Sequence, residues 1–368
     1  MLVLTRISLK NFKCFKSISV ELSHLNVMTG VNSMGKSSVV QALLLLRQSQ
    51  EKDQLFDGIN LNGRYVQIGY GKDLMNRNSS EDYVSIVIEN TDKEYLFEFE
   101  YKQNSEFLKL KNYEKISELN EQDFNLFTNA FAYVSANRIG PQRYYESSNY
   151  EVLQNNQVGV RGEFLADYLA ERNEDICNDL LKNQTCESSK LLDQTNAWLS
   201  EISPGISINP KMDFDTGVVS LRYKDFDGES SPLNVGFGLS YVAPVVVALL
   251  KAKKGDLVII ENPEAHLHPR GQRKMGELVA RAASAGIQVV VETHSDHLLN
   301  GIRLSVKKNI ISRNLIRLNY FYREKKEDNR EIYYEYKKIS PAILDDGRLS
   351  SWPEGFFDEW DRALMELF

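Results

Sequence analysis

The run Gly30-Val31-Asn32-Ser33-Met34-Gly35-Lys36-Ser37 decides the fold. It satisfies G-x-x-x-x-G-K-[ST] in full and sits between the compact apolar run Leu25-Asn26-Val27-Met28-Thr29 and the breaker-free segment from Ser38 to Arg47. The order strand, loop, helix gives the motif its mechanism. Glycines let backbone N–H groups wrap phosphates, the helix N-terminus adds its positive end, Lys36 reaches the β/γ-phosphates and the Ser37 hydroxyl ligates Mg²⁺. An incidental glycine-rich turn would not need this context.

Upstream of the loop, apolar residues alternate with polar ones (Leu2, Leu4, Ile7, Leu9, Phe12, then Ile18, Val20, Leu22), which predicts two or three strands feeding a buried one. Downstream, Ser38 to Arg47 is apolar nearly all round and predicts a buried helix. From about residue 60 to 140 the pattern returns to strands, as in Tyr83-Val84-Ser85-Ile86-Val87-Ile88, and predicts an antiparallel sheet. Residues 161–202 read as helical and polar. Farther on, Leu257-Val258-Ile259-Ile260, a helix from Pro269 to Ala285 and Ile287-Gln288-Val289-Val290-Val291 predict parallel strands joined by a helical crossover. Hairpin strands are expected around Leu315–Tyr322 and Ile332–Tyr336, with the charged run Arg323 to Arg330 as their solvated tip.

The 368 residues are 42% hydrophobic and 10% aromatic, with nine Pro and 21 Gly, an ordinary globular composition. No apolar run approaches the ~18 residues of a membrane span, and the N-terminus shows no secretory pattern, so no membrane partner and a cytoplasmic location are expected. Cys14, Cys177 and Cys186 cannot all pair and lack metal-site spacing, which predicts reduced thiols. A net charge of −7 argues against bulk electrostatic coating of nucleic acid but leaves room for a local basic patch.

Two further strand ends carry chemistry. Leu257 to Ile260 runs into Glu261-Asn262-Pro263-Glu264, which places Glu261 beside a nucleotide's metal, and Val289-Val290-Val291-Glu292-Thr293-His294-Ser295 ends in a His positioned to touch a γ-phosphate. With these residues the chain resembles the ATP-binding-cassette ATPases of the structural-maintenance-of-chromosomes (SMC), RecF and OLD type. The match rests on the phosphate loop with Asn32, the run Glu261 to Pro269 and Thr293-His294-Ser295. The fuller pattern, with Asn234-Val235-Gly236-Phe237-Gly238-Leu239-Ser240 and the ending Asp346 to Phe357, is similar to a bacterial branch of AAA-type ATPases with its own C-terminal domain of unknown function.

The resemblance implies an α/β fold: an ABC-ATPase head with an antiparallel β-subdomain, a parallel-sheet P-loop core and a small helical lid insertion. The absence of heptads between residues 39 and 233 predicts no coiled-coil arm. Four segments are expected: 1–160 with the phosphate loop and antiparallel sheet, 161–205 as the helical insertion, 206–308 with signature, Walker B, D-loop and switch, and 309–368 with terminal strands and a helix. The resemblance implies ATP and Mg²⁺ as cofactors. Asn32, Ser33, Gly35, Lys36, Ser37 and Ser38 would hold the nucleotide, Ser37 and Glu261 the Mg²⁺, and His294 would be the switch histidine. Asn234, Gly236 and Gly238 would form a signature loop contacting the nucleotide of a second copy, although Asn234 stands where the family has Ser; a Gly-rich turn opening a buried helix is the alternative. Ala265 to Pro269 would be the D-loop, and Gln67 and Gln142 compete as the metal-sensing lid glutamine.

The departure is at Asn262, where cassette ATPases usually place Glu to deprotonate the attacking water. An amide can hold water but cannot take its proton, and general-base assistance is worth ~10²–10⁴ in rate. Either hydrolysis is slow or Glu264 takes the role. Relatives of this kind are associated with defence against phage, which implies an ATP-dependent homodimer working with a separate effector such as a nuclease or toxin. No nuclease constellation follows Gly301, since Asp345, Asp346, Asp358 and Asp361 lie in a terminal segment. Two other readings compete. Lys251, Lys253, Lys254, Arg270, Arg273 and Lys274 could form a DNA patch of a RecF-like repair ATPase, and His266, His268, His294 and His297 with nearby carboxylates could hold Zn²⁺ or Mn²⁺ in a hydrolase.

Overall fold

The computed structural model describes residues 3–213, 218–225, 228–230, 232–234, 236–328, 331–357 and 359–367. In chain order they form β1 (Arg6–Phe12), β2 (Phe15–Glu21), β3 (Leu25–Gly30), α1 (Lys36–Gln50), β4 (Gly58–Asn60), α2 (Gly71–Leu74), β5 (Tyr83–Glu89), β6 (Glu94–Glu100), β7 (Phe107–Lys109), α3 (Tyr113–Ile116) and β8 (Phe131–Val134). The second half continues with α4 (Leu165–Arg172), α5 (Leu191–Ile202), β9 (Ser207–Asp213), β10 (Val218–Asp225), β11 (Gly228–Ser230), α6 (Phe237–Lys251), β12 (Leu257–Glu261), α7 (Pro269–Ser284), β13 (Gln288–Glu292) and α8 (Asp296–Lys307). Last come β14 (Ile316–Asp328), β15 (Glu331–Ile339) and α9 (Glu359–Leu367).

The chain divides into two compact units: one takes Met1–Phe131, Ile316–Ala342 and Leu349–Phe368, the other Ala132–Leu315 and Ile343–Arg348. In the first, β2, β1, β5 and β6 form the antiparallel sheet expected from the alternation, with Ile7 facing Ile88 and Val20 across the ladders. β3 is buried on both faces, and along one edge it pairs in parallel with β14, Leu25 opposite Ile316 and Gly30 opposite Phe321. α1 is buried nearly all round, as its composition requires; even Arg47 is inside, donating to the carbonyls of Leu126 and Thr128 and pairing with Glu51.

In the second unit β12 and β13 pair in parallel, Leu257 with Gln288 through Glu261 with Glu292. The crossover between them is α7, amphipathic and opened by Pro269 at its first turn, where a missing N–H costs nothing. β9, β10 and β11 form a separate antiparallel sheet. The segment read as helical between 161 and 202 contains α4 and α5, with Trp198 buried and its indole N–H bonded to the Leu181 carbonyl. Among the described residues no helix exceeds the 16 residues of α7, and none is long and apolar enough to cross a membrane. The fold is thus α/β, with parallel pairs at its core and no coiled-coil arm in evidence.

One element departs from the sequence reading. The charged run from Arg323 to Asp328 is strand rather than hairpin tip: β14 continues to Asp328, with Arg323 opposite Tyr336 and Asp328 opposite Glu331. The tip residues Asn329 and Arg330 lie outside the described residues. Charge is tolerated in this ribbon because both faces meet solvent, and Glu324 neutralises Lys326 and Lys337 at 3.0 and 2.9 Å.

Candidate functional site

The first unit builds the loop from Gly30 to Ser37 at the end of β3. Gly30 has φ +141°, and a Cβ there would stand 2.3 Å from the Phe321 carbonyl oxygen; Gly35, at φ +98°, has the Phe15 ring and Cys14 Sγ where a Cβ would be. Both positions therefore demand glycine. Ser33 between them is also left-handed at φ 64°. Positive φ values spaced along a loop are the backbone pattern from which anion-binding nests of N–H groups are built. α1 begins after Gly35 without a side-chain cap and without an acidic residue in its first turn, leaving its positive end for a ligand.

The loop closes over a cavity of about 220 Å³ lined by Lys13, Cys14, Ser33, Gly35, Lys36, Ser37, Ser38 and Gln41. Lys36 is buried and donates to the carbonyls of Gly30 and Val31 at 2.9 and 3.0 Å, which folds its stem over the loop. Lys13 donates to Gln41 at 2.6 Å, and burial lowers its pKa below the usual lysine value. Burial pushes the Cys14 thiol up to about 11. Asn32 is exposed on the loop, and Ser38 Oγ lies 3.9 Å from Cys14 Sγ. The donor set of two ammonium groups, hydroxyls and glycine-turned amides fits a nucleotide polyphosphate with its Mg²⁺.

The second unit assembles the other motifs. At the end of β12, Glu261 accepts from the Ala136 N–H at 3.1 Å, and the Tyr133 hydroxyl bonds to it, which with burial raises the tyrosine's pKa. Asn262 is left-handed at φ 45°; its N–H donates to Glu292 O at 2.8 Å. Glu264 turns inward and accepts from the His294 N–H at 2.7 Å, joining the Walker B turn to the switch segment, and burial raises its pKa. The His294 residue itself is exposed. Glu264 Oε2 and Asn262 Oδ1 are buried and meet no hydrogen-bond partner among the described residues.

Arg138 was not singled out from the sequence, yet it organises this turn. Only 1% exposed, it donates to the carbonyls of Ser135, Glu261 and Asn262 at 3.0, 2.7 and 2.6 Å, and its desolvation brings its pKa down to about 10. Its guanidinium lies 5.5 Å from the Tyr241 ring centre, Tyr241 meets His266 edge-on at 4.8 Å, and His266 is 6.1 Å from Phe237. A continuous chain of contacts thus runs from the Walker B turn to the first residue of α6. No spacing rule exposes such an arginine, because its partners are backbone carbonyls.

Of the signature residues, Asn234 and Gly236 are exposed, while Val235 lies outside the described residues. Gly238 approaches the turn at His266 so closely that a Cβ would stand 2.7 Å from the His266 carbonyl oxygen. Gly236 has φ −57°, and nothing among the described residues lies within 4 Å of where its Cβ would be. Gln67 and Gln142 are both exposed, the first in the first unit and the second in the other.

Of the six basic residues weighed as a DNA patch, two are engaged within the chain. Lys251 donates to the Asn156 carbonyl at 2.6 Å, and Lys274 pairs with Glu201 and Glu277. Among the described residues no group of three or more His, Cys, Asp or Glu could hold a metal. His268 instead caps α7, its Nδ1 accepting from the Arg270 N–H at 3.3 Å, and His266 packs on Tyr241. Asp358 lies outside the described residues. All three cysteines are free thiols.

The fold is that of SMC heads. It matches the SMC head bound to the C-terminal winged-helix domain of ScpA with a TM-score of 0.56 at 11% identity, covering 92% of this chain and 98% of that one. It also matches the SMC head with an extended coiled coil bound to the C-terminal domain of ScpA from Pyrococcus furiosus, with a TM-score of 0.52 at 12% identity over 100% of both chains. No curated protein matches by sequence. Residues 311–367 match a protein family of unknown function, DUF3696. The sequence from 25 to 300, which holds the phosphate loop, Walker B turn and switch segment, matches the family described as AAA domain, putative AbiEii toxin, Type IV TA system, and on that span the chain belongs to this family of AAA-type ATPases.

Proposed function

We propose that the chain is an ATP-binding and ATP-hydrolysing switch that associates with a second copy when nucleotide is bound, acting in the cytoplasm as the regulatory ATPase of a defence system with a separate effector. The observation that carries the reading is the glycine-enforced, uncapped loop with Lys36 folded over it. The family's description, with its toxin and toxin–antitoxin wording, supports the defence context and an effector such as a nuclease or toxin. Open space around Gly236 supports a partner's approach there, since no neighbour among the described residues requires a glycine at this position.

Bound ATP with Mg²⁺ supplies the phosphoryl group and the metal's charge. Lys36 and the α1 N-terminus would neutralise the phosphates, Asn32, Ser33 and Ser38 would line the loop, and Ser37 with Glu261 would serve the metal, with Gln67 or Gln142 as lid glutamine. Glu264, its carboxyl made more basic by burial, is the group suited to take the attacking water's proton, and Asn262 the group suited to orient that water. His294 would act at the γ-phosphate, and Asn234, Gly236 and Gly238 would face the partner's nucleotide.

Lys36→Ala tests the reading directly. A folded variant, shown by an unchanged melting temperature, should lose ATP binding by at least tenfold in a fluorescent-nucleotide titration and lose hydrolysis with it. Undiminished binding would overturn the proposal.

A further inference from the structure

The C-terminal end of α6 and the elements around it enclose a cavity of about 450 Å³, a volume in the range of small-molecule sites. Its lining includes Tyr168, Arg172, Asp175, Leu191, Leu250 and Lys251. Three cations, Arg172, Lys251 and Lys253, line it against one carboxylate, Asp175. Lys251 spends one donor on the Asn156 carbonyl and meets no carboxylate within ion-pairing distance among the described residues. Arg172 donates to the Leu153 carbonyl at 3.0 Å and pairs with the half-exposed Asp175 at 3.5 Å, while its Nε is buried without an acceptor among the described residues. Lys253 adds a third cation at the rim.

We propose that this cavity binds a small organic phosphate, with Arg172 and Lys251 as its anion-holding groups. A planar guanidinium fork beside a compact ammonium is the donor pair that phosphate oxygens satisfy best, and Leu191, Leu250 and Tyr168 provide apolar walls for the organic part. Of the neighbouring titratable groups, the Cys177 thiol is pushed up to about 12 by burial, and Asp256, which accepts from the Lys253 N–H at 2.9 Å, offsets only part of the positive charge around Lys251. Desolvation brings Lys251 down to about 8, and its ammonium lies 5.7 Å from the Tyr168 ring centre.

The position gives the site a consequence. Lys251 is the last residue of the helix that begins after Gly236, and 15 residues of α-helix span ~22 Å. A ligand here grips one end of the element whose other end carries the signature glycines. This coupling rests on the ATPase reading; the binding does not.

The test uses the full chain carrying Lys36→Ala, which weakens phosphate binding at the loop. Calorimetric titration with AMP, glycerol 3-phosphate and inorganic phosphate should show one saturable site per chain for at least one ester, held more tightly than inorganic phosphate. Arg172→Gln and Lys251→Met should each weaken that site at least tenfold. Should Lys251→Met fail to fold, Arg172→Gln and amide-exchange protection over residues 168–177 and 250–253 decide alone. Absent saturable ester binding, binding indifferent to Arg172→Gln, protection confined to other segments, or inorganic phosphate bound as tightly as the esters would each overturn the proposal. A wild-type chain that binds the ester here yet hydrolyses no ATP would overturn the ATPase reading and leave this site standing.

Discussion

Asn262 holds a backbone conformation that the usual glutamate would resist. At φ 45°, with its carbonyl gripped by Arg138, it sits where Asn is tolerated and most L-residues are strained by ~1–2 kcal/mol. Asn262→Glu should therefore lower the melting temperature by a few degrees, and any gain in turnover would come with that loss; calorimetry beside a steady-state assay reads both. Glu264→Gln is the sharper experiment, because an amide oxygen still accepts from the His294 N–H while losing the ability to take a proton. Turnover should fall by ~10²-fold with ATP binding intact, and the wild type's rate should rise with pH on a limb above the ordinary Glu value, since burial raises this carboxyl. A Glu264→Gln enzyme at wild-type rate would exclude it as the base. Most of this site was legible because its residues cluster in two short runs. Arg138 was not, since the Ser-Ala-Asn-Arg stretch carries no periodicity and two of its three carbonyl partners are more than 120 positions away.

At the scale of elements, α6 and the D-loop turn make opposite demands on two glycines that sequence reading treats alike. Gly238 is fixed by its own unit: the His266 carbonyl leaves no room, so Gly238→Val should destabilise the fold by ~1–3 kcal/mol through overpacking. Gly236 stands in open space, so Gly236→Arg should leave melting and ATP binding unchanged while abolishing ATP-dependent association. Differential scanning calorimetry separates the two variants, and a Gly236→Arg chain that melts early would show that the glycine is structural after all. The apolar strands were readable because burial on both faces leaves continuous hydrophobic runs, and the crossover helix α7 because its apolar residues recur on one face. The extension of β14 through Asp328 was not, because a ribbon wet on both faces shows no apolar alternation.

For the whole molecule, the expected response to ATP is a doubling of mass, measurable by light scattering in the presence of Mg²⁺ and a slowly hydrolysed nucleotide, and lost in Lys36→Ala. A wild type that binds nucleotide yet stays monomeric at all concentrations would remove the dimeric switch. The path of the chain carries a different consequence, one of timing. β3, which presents the phosphate loop, takes its parallel neighbour from β14, roughly 290 residues farther along, and synthesis at ~5–20 residues per second puts ~15–60 s between them. Until Ile316 to Phe321 emerge from the ribosome, Gly30 has no Phe321 carbonyl to pack against and its strand has an open edge. A nascent or prematurely terminated chain thus carries the complete loop sequence without the neighbour that shapes it. The packed form of the loop therefore waits on a strand made long after the loop itself, so the order of synthesis sets when the loop can take its final shape.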